Sequence, residues 1–460
     1  MKTVHLDVLP DVLGTIERDG RHKEVVVADV HGRFHRARLA CFVLLIALWT
    51  CLPWIRIGGA PALFLDVEAR RFYLFGLTFN AQDTWLLFFL LSGVGFGLVY
   101  VTALAGRAWC GWACPQTVFL EGVFRRIERA FEGSREKHRR RDAGPWTLSR
   151  VLRKSAKHAC YVLAAVVIAH IILAYFVSLP RELAMVRSSP GAHPEAFVWV
   201  AALSALLYGN FAWFREQFCV VLCPYGRLQS VLLDEDSLVV GYDLRRGEPR
   251  GKKTTKDAGD CVDCKRCVVV CPTGIDIRNG LQMDCIACTA CIDACDDVMD
   301  RLDRPRGLIR YDSPNGLRGK KTKILRPRIL LYTALLIGGA LAAWLAVRAR
   351  TDFEANLLRL SGAPYALDGD VLRNSFDLHL VNKRSEAAIF DLTIEPSTDF
   401  EITAMSTIRL DSLADAHAPI FLAMPRERFV RDVPFRVHVV VRGSTDSITV
   451  SGTFLGTRRP

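Results

Sequence analysis

Eight of the fifteen cysteines in this 460-residue chain fall in two runs of identical spacing. The first reads Cys261-x2-Cys264-x2-Cys267-x3-Cys271-Pro272. The second reads Cys285-x2-Cys288-x2-Cys291-x3-Cys295-Asp296. Thiolates separated by two residues can grip one face of an iron–sulfur cube, and in paired runs the fourth ligand comes from the other run. The spacing therefore assigns one [4Fe–4S] cluster to Cys261, Cys264, Cys267 and Cys295. It assigns a second to Cys285, Cys288, Cys291 and Cys271. Zinc usually takes two ligand pairs, not eight thiols in this order. Disulfides are disfavoured in the reducing cytoplasm, where the orientation argued below places these runs. Asp296, Asp297 and Asp300 follow the second run, and their charge is expected to lower a nearby cluster's potential.

Four further cysteines form two shorter motifs, Cys110-Gly-Trp-Ala-Cys114-Pro115 and Cys219-Val-Val-Leu-Cys223-Pro224. Proline directly after the second cysteine suits the first turn of a helix. The amphipathic segments 115–132 and 224–234 are the expected helices. Cys114 and Cys223 would then sit at helix N-termini, where the dipole favours thiolate and a low pKa. Each motif follows a long apolar stretch, so the two halves form a weak internal repeat. Soft thiolates suit Cu(I), zinc, an iron–sulfur cluster or thiol redox chemistry. The residues alone leave that choice open. Cys110, Cys114, Cys219 and Cys223 are the candidate redox or metal site. Cys41, Cys51 and Cys160 have no partner motif and read as small apolar packing residues. His158 and His170 lie on one apolar stretch with no matching histidines on a second, which disfavours haem. An intramembrane His170 is a candidate proton or metal group.

Five apolar stretches must position these groups, each close to the roughly 20 residues that cross a bilayer. They are Leu39–Ile55, Thr84–Leu104, Ala159–Leu179, Phe197–Phe214 and Pro327–Val347. The first begins only after residue 38, so no cleavable leader is expected. The loop 105–157 carries 13 Lys and Arg, against three in 56–83 and two in 180–196. Basic loops stay cytoplasmic. The N-terminal segment 1–38, the loop 105–157 and the region 215–326 are therefore expected in the cytoplasm. Residues 39–214 would hold four spans, 327–347 the fifth, and 352–460 an exported domain. The net charge of +12 is then largely a topology signal near lipid headgroups, not a nucleic-acid surface.

The exported region contains alternating apolar and polar runs at Ser375–Leu380, Ala388–Ile394, Phe435–Val441 and Ser447–Phe454. Turn residues separate them, which suggests an antiparallel β-sandwich. Met405 and Met424 read as packing residues. The chain shows no catalytic triad and no Gly-rich phosphate loop. With no nicotinamide or flavin site visible, a separate cytoplasmic electron donor is expected.

The order of parts resembles the FixG/CcoG/RdxA family of cytochrome oxidase accessory proteins. Arg71-Phe-Tyr-Leu-Phe-Gly-Leu-Thr-Phe79, Thr102-Ala-Leu-Ala-Gly-Arg107 and Cys110-Gly-Trp-Ala-Cys-Pro-Gln-Thr117 carry the likeness. So do Cys271-Pro-Thr-Gly-Ile-Asp-Ile-Arg278, Cys291-Ile-Asp-Ala-Cys-Asp-Asp-Val-Met299 and Arg306-Gly-Leu-Ile-Arg-Tyr311. The resemblance implies a mixed multi-domain fold. A five-helix transmembrane bundle would hold an inserted 2[4Fe–4S] ferredoxin-like module at about 255–300. A C-terminal all-β immunoglobulin-like sandwich would follow. It implies reduction of Cu(II) to Cu(I) during assembly of copper-containing cytochrome oxidases in a bacterial inner membrane. Copper exporters or chaperones and oxidase assembly factors would be partners. The rival readings are a quinol-linked electron-transfer subunit and a non-enzymatic assembly scaffold.

Overall fold

A computed structural model describes residues 25–57, 60–68, 70–79, 83, 85–251, 258–384, 386–396 and 398–457. Thr84, the first residues of the N-terminal segment and the start of the expected ferredoxin module lie outside these. The chain forms two compact units, Met1–Leu77 with Leu87–Leu341, and Thr78–Leu86 with Ala342–Pro460.

Five helices are long and apolar enough to cross a membrane: Arg33–Cys51, Leu86–Ala105, Leu148–Leu173, Pro194–Phe214 and Pro327–Arg348. The protein is a multi-pass membrane protein. Three of these helices start earlier than the apolar stretches suggested, Pro194–Phe214 by three residues and the first and third by more. The first begins at Arg33, so Arg33, Arg36 and Arg38 are helical rather than part of a preceding segment. The reason is a cap supplied from far away. Gly32 has no side chain to offer, and the N–H groups of Phe34 and His35 donate to the Asp293 carboxylate at 3.2 and 2.7 Å. A Cβ on Gly32 would lie 2.2 Å from Asp293 Cγ, so only glycine permits this approach. The third helix begins at Leu148 inside the basic loop, where Thr147 accepts from the N–H of Arg150. Its first turns carry Arg150, Arg153, Lys154 and Lys157 beyond the apolar part.

The segment 115–132 is not one helix. It runs as α-helix over Pro115–Phe119, π-helix over Leu120–Phe124 and α-helix over Arg125–Glu132. Further π turns occur at Asn210–Phe214, just before the second short cysteine motif, and at Phe218–Leu222, within it. Such one-turn insertions re-aim the side chains that follow. The rest of the basic loop is also folded, with a helix at Arg135–Ala143.

The cysteine-rich region is bracketed by an antiparallel strand pair, Val239–Tyr242 with Ile309–Asp312. Between them lie the short helix Arg266–Val269 and the helix Ala290–Arg301. The N-terminal segment packs onto this module rather than standing apart. Ala28 N–H donates to Val269 O at 2.9 Å, and Ala28 and Val30 are buried with Val270, Ile286 and Ala294.

The second unit is a two-sheet sandwich. One sheet has the order Glu401–Thr403, Asp415–Pro425, Val371–Asn382, Phe353–Arg359, with Ala366–Asp368 also paired to Val371–Asn382. The other has the order Thr407–Leu410, Ala388–Glu395, Val433–Val441, Ser447–Phe454. Neighbouring strands are antiparallel. Alternate residues face inward, including Leu378, Phe390, Ile420, Phe435 and Val437. Asp415–Pro425 went unremarked in the sequence because Pro419 interrupts a run that otherwise alternates. Pro419 is exposed and lies beyond the short partner strand, where no ladder donor is needed. Met424 packs in the core, whereas Met405 is exposed.

The Phe435 ring packs 4.9 Å from that of Phe376, at 1% exposure. Phe435→Ala should destabilise the sandwich by about 3–5 kcal/mol. Calorimetry should show its transition at a lower temperature.

Candidate metal centres

The two long cysteine runs fold around two small cavities. Cys261, Cys264, Cys267 and Cys295 line one. Cys271, Cys285, Cys288 and Cys291 line the other, with Cys267 at its border. The two runs position their second cysteine in the same way. Asp263 and Lys265 flank Cys264, and Ala287 and Thr289 flank Cys288, all four with positive φ. Left-handed backbone at non-glycine residues is unfavourable, and here it turns successive peptide N–H groups inward. Ala287 N–H donates to the Cys285 sulfur and Ala290 N–H to that of Cys288. Thr273 Oγ1 lies 3.4 Å from Cys271 Sγ.

Burial pushes the thiols of Cys267, Cys285 and Cys295 up to about 12, and that of Cys288 up to about 11. Thiolates in these cavities therefore need the positive charge of a bound metal. Four soft sulfur donors around each cavity, with inward N–H groups, fit an iron–sulfur cube. Of the acidic residues after the second run, Asp296 still acts on Cys295, while cations partner all three. Asp297 pairs with Arg301 at 2.8 Å and Asp300 with Arg306 at 2.7 Å. Asp296 accepts from Gly307 N–H at 3.0 Å and lies 3.8 Å from Arg33.

The two short motifs come together. Cys110, Cys114, Cys219 and Cys223 are close enough to perturb one another electrostatically. Several contacts join the repeats that carry them. Gln116 and Asn210 exchange amide hydrogen bonds of 3.2 and 2.7 Å, and Gln116 also donates to Arg215 O at 3.0 Å. Thr102 Oγ1 meets Tyr225 OH at 2.5 Å. Arg215 pairs with Glu128 at 3.1 Å, and Arg125 pairs with Glu216. Burial raises the Glu128 carboxyl, but Arg215, Arg125 and Lys157 outweigh it and hold the group below its usual range.

The low pKa expected at the helix starts is not found at Cys114. Cys114 and Cys223 do precede Pro115–Phe119 and Pro224–Leu232. The N–H groups of Gln116 and Thr117 donate to the Cys114 sulfur, yet burial still raises that thiol. Burial likewise pushes Cys110 up to about 11 and Cys219 up to about 12. Desolvation outweighs the dipole here. Cys110, Cys114 and Cys219 are thus half-buried thiols that favour the neutral form until a cation arrives. Gln229, fully buried, donates from Nε2 to Cys110 Sγ at 3.1 Å.

The quartet abuts the second cluster cavity. A Cβ on Gly111 would lie 2.6 Å from Ala287 O and 2.7 Å from Ile286 O, so the Cys110–Cys114 turn rests on the Cys285–Cys288 loop. Cys110 itself packs against the set containing Ile286 and Cys288. Arg107 ties the parts together. Its guanidinium donates to Met283 O, to Cys285 O at 3.2 Å and to Gly226 O at 2.8 Å. Arg38 donates to Gly111 O at 3.0 Å. Trp112 Nε1 donates to Tyr311 OH at 3.1 Å, and Tyr311 OH donates to Ala287 O at 3.0 Å.

The remaining candidates lie elsewhere. His158 Nδ1 meets Tyr208 OH at 3.0 Å. His170 Nδ1 meets Glu182 at 3.0 Å beside a cavity of about 460 Å³. Cys41 Sγ lies 3.5 Å from Trp112 O and Cys160 is half-buried, whereas Cys51 is exposed rather than packed.

Comparison with known proteins agrees with this division. Residues 214–314 match the model of a 4Fe–4S dicluster domain, and residues 86–133 that of a 4Fe–4S binding domain. Residues 344–457 match the Ig-like fold at the C-terminus of FixG. Nitrogen fixation protein FixG of Rhizobium meliloti is 34% identical over 89% of this chain and 88% of its own. Protein RdxA of Cereibacter sphaeroides is 35% identical over 85% of this chain and 86% of its own. Protein RdxB of the same organism is 34% identical over 83% and 84%. The chain belongs to the FixG/RdxA family. As a FixG/RdxA protein it is a membrane-associated iron–sulfur electron-transfer protein. Sequence reasoning gave no role to Arg107, Gln229, Asp293 or Tyr311. Arg107, Asp293 and Tyr311 stood in the runs that carry the family resemblance, while Gln229 had no local signal.

Gly111→Val should force the Ala287 carbonyl away and weaken the second cavity. Purified variant should hold about half the iron of the parent, read by metal analysis and visible absorbance, if only that cube is lost.

Proposed function

We propose that this protein reduces Cu2+ to Cu+ for assembly of copper-containing cytochrome oxidase. The substrate ion would be held by Cys110, Cys114, Cys219 and Cys223. One observation carries the reading: four half-buried cysteines from two repeats come together where the Cys110–Cys114 turn rests on the Cys285–Cys288 loop. Cys261, Cys264, Cys267 and Cys295 would hold one [4Fe–4S] cluster, and Cys285, Cys288, Cys291 and Cys271 the other. When bound, these clusters supply single electrons, matching a one-electron acceptor.

The chain's own residues then have defined tasks. The four sulfurs favour the d¹⁰ cuprous product over the cupric substrate, which pulls the reduction forward. The ion gains one electron and no proton is required. Gln229 orients Cys110 through its N–H. Arg107 places a fixed positive charge beside Cys110, Cys219 and Cys285 and keeps the quartet seated on the loop. The Cu+ product would pass to copper chaperones or exporters, and a cytoplasmic donor would reload the chain.

The membrane would be the bacterial inner membrane. The basic loop 105–157 supports a cytoplasmic N-terminus and ferredoxin module, and the fifth span then exports the sandwich. Alkaline phosphatase joined after Pro460 should be active, and joined after Lys323 it should be inactive. The reverse pattern would invert the orientation.

A second reading has its own support, since the matched 4Fe–4S binding domain over 86–133 contains Cys110 and Cys114. On that reading the quartet holds a third cube. Iron content separates the two: about eight per chain for copper as substrate, about twelve for a third cluster.

The central experiment uses anaerobic protein with its clusters reduced. Added Cu2+ should restore the oxidised visible absorbance while a cuprous chelator reports Cu+ in matching amount. Replacing Cys110, Cys114, Cys219 and Cys223 by serine should slow Cu+ formation at least tenfold with iron content unchanged. Clusters that stay reduced with Cu2+ but reoxidise with a quinone analogue would overturn the proposal in favour of a quinol-linked conduit.

A further inference from the structure

The outward face of the five-stranded sheet carries a compact group of metal-competent side chains. Val371–Asn382 and Asp415–Pro425 pair so that His379 faces His417 directly. Leu378, Leu380 and Ala418 point into the core, so the alternate positions 377, 379, 415 and 417 share the outer face. The two imidazoles stack at 4.4 Å with planes 11° apart. One nitrogen of each ring and one carboxylate oxygen of Asp415 lie within 4.8 Å of one another. Asp415 Oδ2 lies 3.1 Å from His379 Nε2. Asp377 Oδ2 lies 2.5 Å from His417 Nδ1.

We propose that His379, His417 and Asp415 form a divalent transition-metal site, with Asp377 as a positioning residue. Three observations support it. His379 sits on a strand held on both sides, by Asp415–Pro425 and by Phe353–Arg359, and the ladder with Asp415–Pro425 sets His417 directly opposite it, with Asp415 two residues along on the same face. Asp377 takes the Nδ1 side of His417 and leaves Nε2 free, the arrangement by which a carboxylate orients a ligating histidine. His417 and Asp415 are about 60% exposed, so an ion can enter and water can complete its coordination.

The donor set selects the ion. Two imidazole nitrogens and one carboxylate suit borderline cations, whereas Ca2+ and Mg2+ prefer oxygen and Cu+ prefers sulfur. Among the divalent first-row ions the order of affinity puts Cu2+ first. The site uses none of the cysteines, so it stands or falls separately from the reductase reading.

The test uses full-length detergent-solubilised protein with Cys110, Cys114, Cys219 and Cys223, together with Cys41, Cys51 and Cys160, changed to serine, which removes the thiols outside the two cluster runs. Cu2+ alone is the probe, followed by electron paramagnetic resonance and equilibrium binding. One ion per chain is expected, with coupling to two nitrogens. The His379→Gln and His417→Gln pair should raise Kd at least a hundredfold and abolish that coupling. Asp377→Asn should raise Kd about tenfold while both nitrogen couplings remain. Saturating Cu2+ should also raise the sandwich's thermal midpoint in the parent and not in the paired variant. Unchanged binding and coupling in the paired variant would overturn the proposal. So would coupling to a single nitrogen in the parent.

Discussion

A buried guanidinium at the end of the second span holds the redox architecture together. Arg107 bonds carbonyls of the Cys285 loop and of the turn after Cys223 at once. Those carbonyls belong to segments far apart along the chain. The Met283 and Cys285 carbonyls lie on a loop with no regular ladder to satisfy them, whereas Gly226 lies in the first turn of the helix Pro224–Leu232, and a buried backbone acceptor without a partner is unfavourable. One cation thus satisfies several acceptors and sets the distance between the quartet and the cluster loop. The same charge lies beside Cys110, Cys219 and Cys285, which burial would otherwise penalise as anions.

Burial is the second theme. Every cysteine for which a shift is evident is pushed upward, and in each desolvation is the main cause. Such sites reject thiolate in the absence of a cation and bind it strongly once a metal supplies the charge. A soft metal is therefore what completes them. The glycines at 32 and 111 serve the same compactness. Gly32 lets backbone approach the Asp293 side chain, and Gly111 the Ile286–Ala287 loop, at distances that a methyl group would block.

The polar rim supplies the third element. Helix starts and loop ends beside the spans are tied by Gln116 with Asn210, Arg215 with Glu128, and Asp293 with the first turn of the first span. These groups face one another across segments that the hydrophobic pattern treats as separate. They convert a row of apolar helices into a platform for the cysteine module.

Much of this was readable along the chain. The two cysteine runs, the twin short motifs, the apolar stretches and the alternating strands are patterns of a few residues each, set by ligand spacing, bilayer thickness and side-chain alternation. Helix starts at Arg33 and Leu148 were not, because an apolar stretch marks what lies in lipid and not where a helix begins. The π turns escaped for a related reason, since their signal is a register shift rather than a composition. The acidity of Cys114 was misjudged because a helix terminus is a local feature, whereas desolvation depends on everything packed around it. The meeting of Cys110 and Cys114 with Cys219 and Cys223, the Arg107 bridge and the His379–His417 pair arise only on folding. Each joins groups whose separation along the chain carries no information about their separation in space.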